Sequence, residues 1–290
     1  MTAGRITQRT ISDTALRGLQ GNLGRMQKLQ EQLSSGRRVS TPSDDPSATV
    51  SSMTLRSRRA SDEQYLRNID TSTGRLTVTD NTLTQLSDRL RAVRDLVIQA
   101  RNGALGQAGL SGVSANIQAV RAEIVDLYNT TYLDRPLFGG TVPGSAAIDS
   151  SGAYIGDDGA VEARITPDAV IRIDVAGTAV GADTVPGDLD TIAANVVGGL
   201  VGDADLATID AALSRVATAL GDVGARSERV SQTRTVVDSH RLDLTSRISV
   251  NEDVDLPEAI MNLEAQKVGY QAALASAAKI QQISLVDFLK

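Results

Sequence analysis

The chain of 290 residues has no cysteine, no tryptophan and one histidine, and its only aromatics are five tyrosines and two phenylalanines. Without cysteine there is no disulfide framework, no thiol nucleophile and no thiolate metal site. A single histidine excludes multi-histidine metal centres. No segment approaches the roughly 18 consecutive apolar residues of a membrane-spanning helix. The opening MTAGRITQRTISD lacks the apolar stretch of a cleaved secretory signal, so export by that route is not expected. Hydrophobic residues still make up 41% of the chain, and most of them are Ala, Leu, Val and Ile. A core almost without rings predicts slender helical seams rather than a thick globular centre.

Proline is scarce as well, and its placement is informative. The seven prolines stand at 42, 46, 136, 143, 167, 186 and 257, which leaves windows 47–135 and 187–256 without any. An interior proline costs a helix about 3 kcal/mol, so these windows are where long helices can run. Ile69, Leu76, Leu83, Leu86, Leu90, Val93, Val97 and Ala100 share one seam, interrupted by Ser72 and Thr79. A second seam holds Leu206, Ile209, Leu213, Val216, Leu220, Val223, Val230, Val237, Leu244 and Ile248, broken by Ser227, Arg234 and Arg241. Several consecutive heptads predict coiled-coil-like packing.

Asp45 before Pro46 reads as an N-cap and first helical residue, opening a helix that runs to about residue 102. Asn102-Gly103 and the glycines up to Gly112 then supply a stop. A third helix follows through Ile117, Val120, Ile124 and Leu127. Between Pro136 and Pro186 the period changes to two. Val161, Ala163 and Ile165, then Ile171, Ile173 and Val175, bracket Pro167-Asp168 and predict a hairpin. The Gly-rich VVGGLVGD (196–203) reads as a linker into the second long helix.

Both ends carry the helical period too. Leu16, Leu19, Leu23, Met26 and Leu33 form one seam, with Gln30 its polar member. Leu256, Ile260, Leu263, Tyr270, Leu274, Ala277 and Phe288 form another, opened by a capping box, Asp255 to Glu258. These ends are expected to pair with each other and, because two helices leave apolar surface uncovered, to require neighbouring subunits. The alternative is that both dock on the body of the same chain.

Charge is uneven along the chain. Residues 1–101 carry 16 Lys/Arg against 10 Asp/Glu, and residues 138–222 carry 3 against 13, within a net charge of -6. That sum does not favour nucleic acid, while the asymmetry either steers association or solvates an acidic lobe. No chemistry-bearing constellation emerges. His240 has Asp238 and Asp243 nearby in sequence but no nucleophile placed by a motif, and it reads as a solvated helix residue. Asp157-Asp158-Gly159 and Asn251-Glu252-Asp253 lack EF-hand spacing and read as turn and cap. Arg56, Arg58 and Arg59 sit beside Asp62 and Glu63 without interleaved aromatics, which reads as a solvated face. No catalytic, cofactor or metal site is expected.

LQEQLSSGRRVSTPSDDPSA (29–48) resembles the amino-terminal signature of the bacterial flagellin family, and RDLVIQARNG (94–103) the helical segment that follows it. GARSERV (224–230) and EDVDLPEAIMNLEAQKVGYQAALASAAKIQQISLVDFL (252–289) resemble its carboxy-terminal signature. RIT (5–7), YLDRPLFGGT (132–141) and the SLVDFL ending look like the branch that forms the hook–filament junction. The resemblance implies a mainly α, flagellin-like fold, a long coiled-coil-like bundle formed by both ends of the chain with a small β insertion. It implies an N-terminal polymerisation helix (1–43) paired with a C-terminal one (252–290). A long-helix core (44–136 with 191–251) and an outward β-rich insertion (137–190) complete it.

The implied function is structural: a flagellar subunit, exported unfolded by the flagellar type III system. It would join hook-associated protein 1 to the flagellin filament in a ring of about eleven copies held by head-to-tail contacts. An export chaperone would cover the apolar carboxy-terminal stripe before assembly. A short filament flagellin is the alternative, and an active module carried by the insertion is a further one. The residues expected to make subunit contacts are Leu16, Leu19, Leu23, Met26, Leu33, Leu256, Ile260, Leu263, Tyr270, Leu274 and Phe288.

Overall fold

The computed structural model describes residues 8–102 and 105–288, with side chains at 10, 13–102 and 105–279. It is 73% helical, so the mainly α class holds. The helices are α1 (Gln8–Ser35), α2 (Pro46–Arg101), α3 (Gln107–Tyr128), α4 (Val185–Gly198), α5 (Asp203–Glu252) and α6 (Leu256–Phe288). Between α3 and α4 lie two two-stranded ribbons: β1 (Thr131–Tyr132) with β2 (Arg135–Pro136), and β3 (Glu162–Arg164) with β4 (Val170–Arg172).

Two compact units emerge, one of residues 1–60 and 241–290, the other of residues 61–240. Their borders, at 60/61 and 240/241, fall inside α2 and α5. Caps mark where a helix begins, whereas compactness follows side-chain partners. Within the terminal unit, the first turns of α2 hold the last turns of α5 through Arg56 with Glu252 and Asn251 with Ser51.

In the central unit α2 and α5 run antiparallel. Three ion pairs and one hydrogen-bonded pair fix the register: Asp70 with Arg234, Arg94 with Asp210 and Arg101 with Asp203, and His240 with Asp62. The expected α2 seam is buried from Ile69 to Ala100. Its polar members Ser72 and Thr79 are also fully buried, and their hydroxyls donate to the carbonyls of Asn68 (2.7 Å) and Arg75 (2.9 Å). Satisfied in this way, they cost the seam little. On α5, Ile209, Val216, Val223, Val230 and Val237 are buried as expected, whereas Leu206, Leu213 and Leu220 are only half-buried and Ala212 and Ala219 join the buried side. Small residues there let the helix axes approach.

α4 departs from expectation. The segment read as a linker begins as its last turn, with Val196 fully buried and Gly199 closing the helix at φ 66°. Leu189, Ile192, Ala193 and Val196 form a short stripe against α3, whose Val113, Ile117 and Ile124 are buried in the same core. Pro186 is accommodated within the first turn of α4, where its missing N–H is not needed.

The period-two reading holds locally. β3 pairs with β4 in the register Ala163 to Ile171, and Ile165, Ile171, Ile173 and Val175 are buried. Tyr128 and Phe138 meet edge to face with centroids 5.9 Å apart, placing two of the few rings at one spot. Burial pushes the Tyr128 hydroxyl pKa up, and that hydroxyl donates to the Val180 carbonyl (2.8 Å). Arg75 reaches from α2 to donate to the Pro136 carbonyl (3.0 Å), and its burial pulls its pKa down.

Candidate assembly surface

α1 ends at Ser35, where Gly36 takes a left-handed conformation (φ 71°) that turns the chain. The turn is stitched to the link between α5 and α6. Val254 N–H donates to the Gly36 carbonyl (3.0 Å) and Arg38 N–H to the Glu252 carbonyl (2.6 Å). Asp255 accepts the Glu258 N–H (3.2 Å), so the first half of the capping box is present. From this corner α1 and α6 lie against each other antiparallel.

The faces they present differ from the simplest heptad count. On α1 the half-buried positions among the described residues are Ala15, Leu19, Asn22, Met26, Leu29, Gln32 and Leu33. On α6 Ala259 is buried, and Leu263, Gln266, Tyr270, Ala273 and Ala277 are half-buried. Gln266 donates to Asn22 across the seam at 2.9 Å. A polar pair in an otherwise apolar seam fixes register at some cost in stability.

The expected contact residues therefore split into two groups. Leu19, Met26, Leu33, Leu263 and Tyr270 lie in the α1–α6 seam. Leu16, Leu23, Leu256, Ile260 and Leu274 are exposed, from 39% at Leu23 to 52% at Leu16 and Ile260. The side chain of Phe288 lies outside the described residues. Sequence reasoning passed over Ala15, Asn22, Ala259 and Gln266 because it ranked Leu and Ile above small and polar residues. It also passed over a second stripe on α6, Met261, Ala265, Val268, Ala272 and Ala275, all exposed at spacings of four and three. That spacing was the available signal. A helix apolar on several sides is built to be covered by more than one neighbour.

Electrostatics hold the corner beside this surface. Asp44 accepts from the Lys28 ammonium (2.8 Å) and the Thr41 N–H (3.0 Å), which keep its carboxyl well below the usual carboxylate range. Asp45 caps α2 through the Ala48 N–H (2.9 Å) and receives Arg38 (3.2 Å); both hold its pKa down, the cap most. Next to it, a cavity of about 180 Å³ is lined by Arg37, Pro42, Met53 and Arg56, among others, with the buried Ser52 hydroxyl unpaired at its wall.

The remaining candidates resolve into structural pairs. His240 Nδ1 lies 2.7 Å from Asp62, a carboxylate 178 residues away, rather than pairing with Asp238 or Asp243 as sequence proximity suggests. Asp157 accepts from Thr141 N–H (2.6 Å) and hydroxyl (2.7 Å), and Thr178 donates to Asp158 (2.6 Å). Arg56 pairs with Glu252. Among the described residues no group of three or more His, Asp or Glu is arranged to hold a metal ion, and no helix is long and apolar enough to cross a membrane.

Comparison with known proteins agrees with this geometry. The model of the bacterial flagellin N-terminal helical region matches residues 6–141, and that of the C-terminal helical region matches residues 206–289. The chain is 26% identical over 163 residues to flagellar hook-associated protein 3 of Salmonella typhimurium, covering 56% of this chain and 51% of that protein. It thus spans about half the length of that relative. To flagellin of Bacillus subtilis it is 25% identical over 295 residues, covering 96% of each. The solved flagellar hook-associated protein 3 of Legionella pneumophila shares the fold with a TM-score of 0.61 at 12% identity, over 68% of this chain and 98% of that one. The two matched regions, with α1, the start of α2 and α6 inside them, take in about three quarters of the chain, which belongs to the bacterial flagellin family.

Proposed function

We propose that this chain is a structural subunit of the bacterial flagellum, forming the junction layer between hook-associated protein 1 and the flagellin filament. Its working parts are α1 and α6, which polymerise helically with their counterparts in neighbouring copies. The observation that carries the reading is the state of the terminal unit. Of the eighteen large hydrophobics exposed among the described residues, eleven lie there, seven of them on α1 and α6. At roughly 25 cal/mol per Å², covering them would be a strong driving force for association. Leu16, Leu23, Leu256, Ile260 and Leu274 make contacts between copies, Phe288 extends the same stripe, and Leu19, Met26, Leu33, Leu263 and Tyr270 hold the pair that presents them.

Assembly follows export. The chain threads the flagellar type III channel unfolded, and a chain free of cysteine cannot cross-link on the way. An export chaperone covers the α6 stripe until about eleven copies close a ring through head-to-tail contacts. The similarity to Salmonella hook-associated protein 3 and the YLDRPLFGGT segment support the junction rather than the filament. Immuno-electron microscopy of intact flagella tests the reading. Label confined to one ring at the end of the hook is expected, and label along the whole filament would overturn the junction role.

One observation favours a second reading, a short filament flagellin: the match to Bacillus subtilis flagellin runs nearly end to end in both chains. In that case the protein is the dominant band in sheared filaments, whereas a junction protein is a trace component.

A further inference from the structure

The hairpin β1–β2 has a two-residue turn, Leu133-Asp134, with both residues in the left-handed region at φ 50° and 59°. Among the described residues these are the only non-glycine positions with positive φ. A two-residue hairpin of this type demands positive φ twice, and Asn-Gly meets that demand with least strain. Aspartate tolerates the conformation, but a leucine there is strained. The leucine gains nothing locally in return, since it is 71% exposed.

The rest of the hairpin is anchored. The Tyr132 hydroxyl fills the space that a Cβ on Gly74 would occupy, and buried Arg75 holds the Pro136 carbonyl. A fixed base therefore displays a strained apolar knob beside a carboxylate. Strain of this kind persists at sites that meet a partner.

The terminal unit carries a receptor with matching chemistry. A cavity of about 310 Å³ between the first turns of α2 and the last turns of α5 is lined by Ser51, Leu55, Ser246, Arg247, Val250 and Asn251. Val250 is 78% exposed, so part of this apolar wall has no cover within the chain. Arg247 lies on the same wall, and its pairing with Asp243 is between exposed groups one helical turn apart, the kind that yields readily to a better partner.

We propose that the Leu133-Asp134 tip of one copy docks into this groove on a second copy. Leu133 seats against Leu55 and Val250, and Asp134 pairs with Arg247. The contact joins two different surfaces and so propagates head to tail. This inference rests on the assembly role proposed above and adds to it a contact away from α1 and α6.

The absence of cysteine makes a direct test available. The variant Leu133→Cys with Val250→Cys is expressed in place of the wild-type chain, flagella are isolated, and the chain is examined after mild oxidation. Ladders of cross-linked dimers and higher species are expected, and neither single variant should give a ladder. Incorporation without cross-links would overturn this contact alone, and absence of the wild-type chain from flagella would overturn the assembly role together with it. A second arm separates docking from folding. Leu133→Asn with Asp134→Gly relieves the turn, so the free chain should melt about 2–4 °C higher, while its incorporation falls several-fold. Wild-type incorporation by that variant would also overturn the proposal. Asp134→Arg and Arg247→Asp should each lower incorporation and restore it together; a pair no better than the singles counts against the contact.

Discussion

The two units of this chain are built from the same aliphatic alphabet and use it differently. Of 38 buried hydrophobics among the described residues, only Leu244, Ile248 and Ala259 belong to the terminal unit. The central unit closes its apolar seams on itself, through α2 with α5, α3 with α4, and one edge-to-face aromatic pair. In the terminal unit α1 and α6 satisfy one face each and leave the others open. Scarcity of aromatics thus has two consequences. In the centre it suits thin, regular packing, and at the ends it leaves a surface without bulky anchors that must be covered over a long stripe.

The strongest test of this contrast is removal of the ends. Deleting residues 1–36 or 256–290 should abolish incorporation into flagella while the central unit keeps a cooperative melting transition by circular dichroism. Loss of that transition would show that the centre depends on the ends. Single truncations should separate the units next. Leu76→Ala or Ile124→Ala, both fully buried, should cost about 2–5 kcal/mol in chemical denaturation. Leu16→Ala or Leu274→Ala should stay within about 0.5 kcal/mol in the free chain while reducing assembly. Equal costs in both sets would erase the distinction.

Smaller effects sharpen it within each unit. Arg75→Ala leaves the Pro136 carbonyl without its donor and should cost about 1–3 kcal/mol. In the terminal unit, Asp45→Ala removes the α2 cap and should cost about 1 kcal/mol, read as helix fraying by amide exchange at residues 47–49.

What could be read from the sequence follows the same division. The α2 seam, including the buried Ser72 and Thr79, was legible because a long helix repeats its period many times, and so was the hairpin around Pro167-Asp168. Helix α4 was not, since its four buried positions, Leu189, Ile192, Ala193 and Val196, give too short a period, and its last turn was read as part of a linker. The α1–α6 seam was legible only in part, at Leu19, Met26, Leu33, Leu263 and Tyr270, because Ala15, Asn22, Ala259 and Gln266 look unlike seam residues until a partner helix is in place. His240 illustrates the remaining limit. Its partner Asp62 is 178 residues away, and only the antiparallel register of α2 and α5 brings the two together.

The smallest effect concerns pH, and it bears on how the terminal unit holds its corner. The Lys28 ammonium and the Thr41 N–H both favour the charged form of Asp44, so its folded pKa lies below the unfolded one. A depressed carboxyl contributes stability that is fully present above the ordinary carboxylate value, near about 4, and is lost as pH falls through the folded value. Asp45 shifts in the same direction, through the Ala48 N–H first and Arg38 second. From pH 7 down to about 5 the 36–45 turn should therefore keep its amide protection unchanged, with loosening confined to more acidic solution below about pH 4. Asp44→Asn should blunt that acid loosening without altering the melting of the central unit. An Asp44 carboxyl titrating at its ordinary value by NMR would mean that Lys28 does not hold it in solution. The corner between α1 and α2 would then rest on its backbone hydrogen bonds and on the contacts of Asp45 with Ala48 and Arg38.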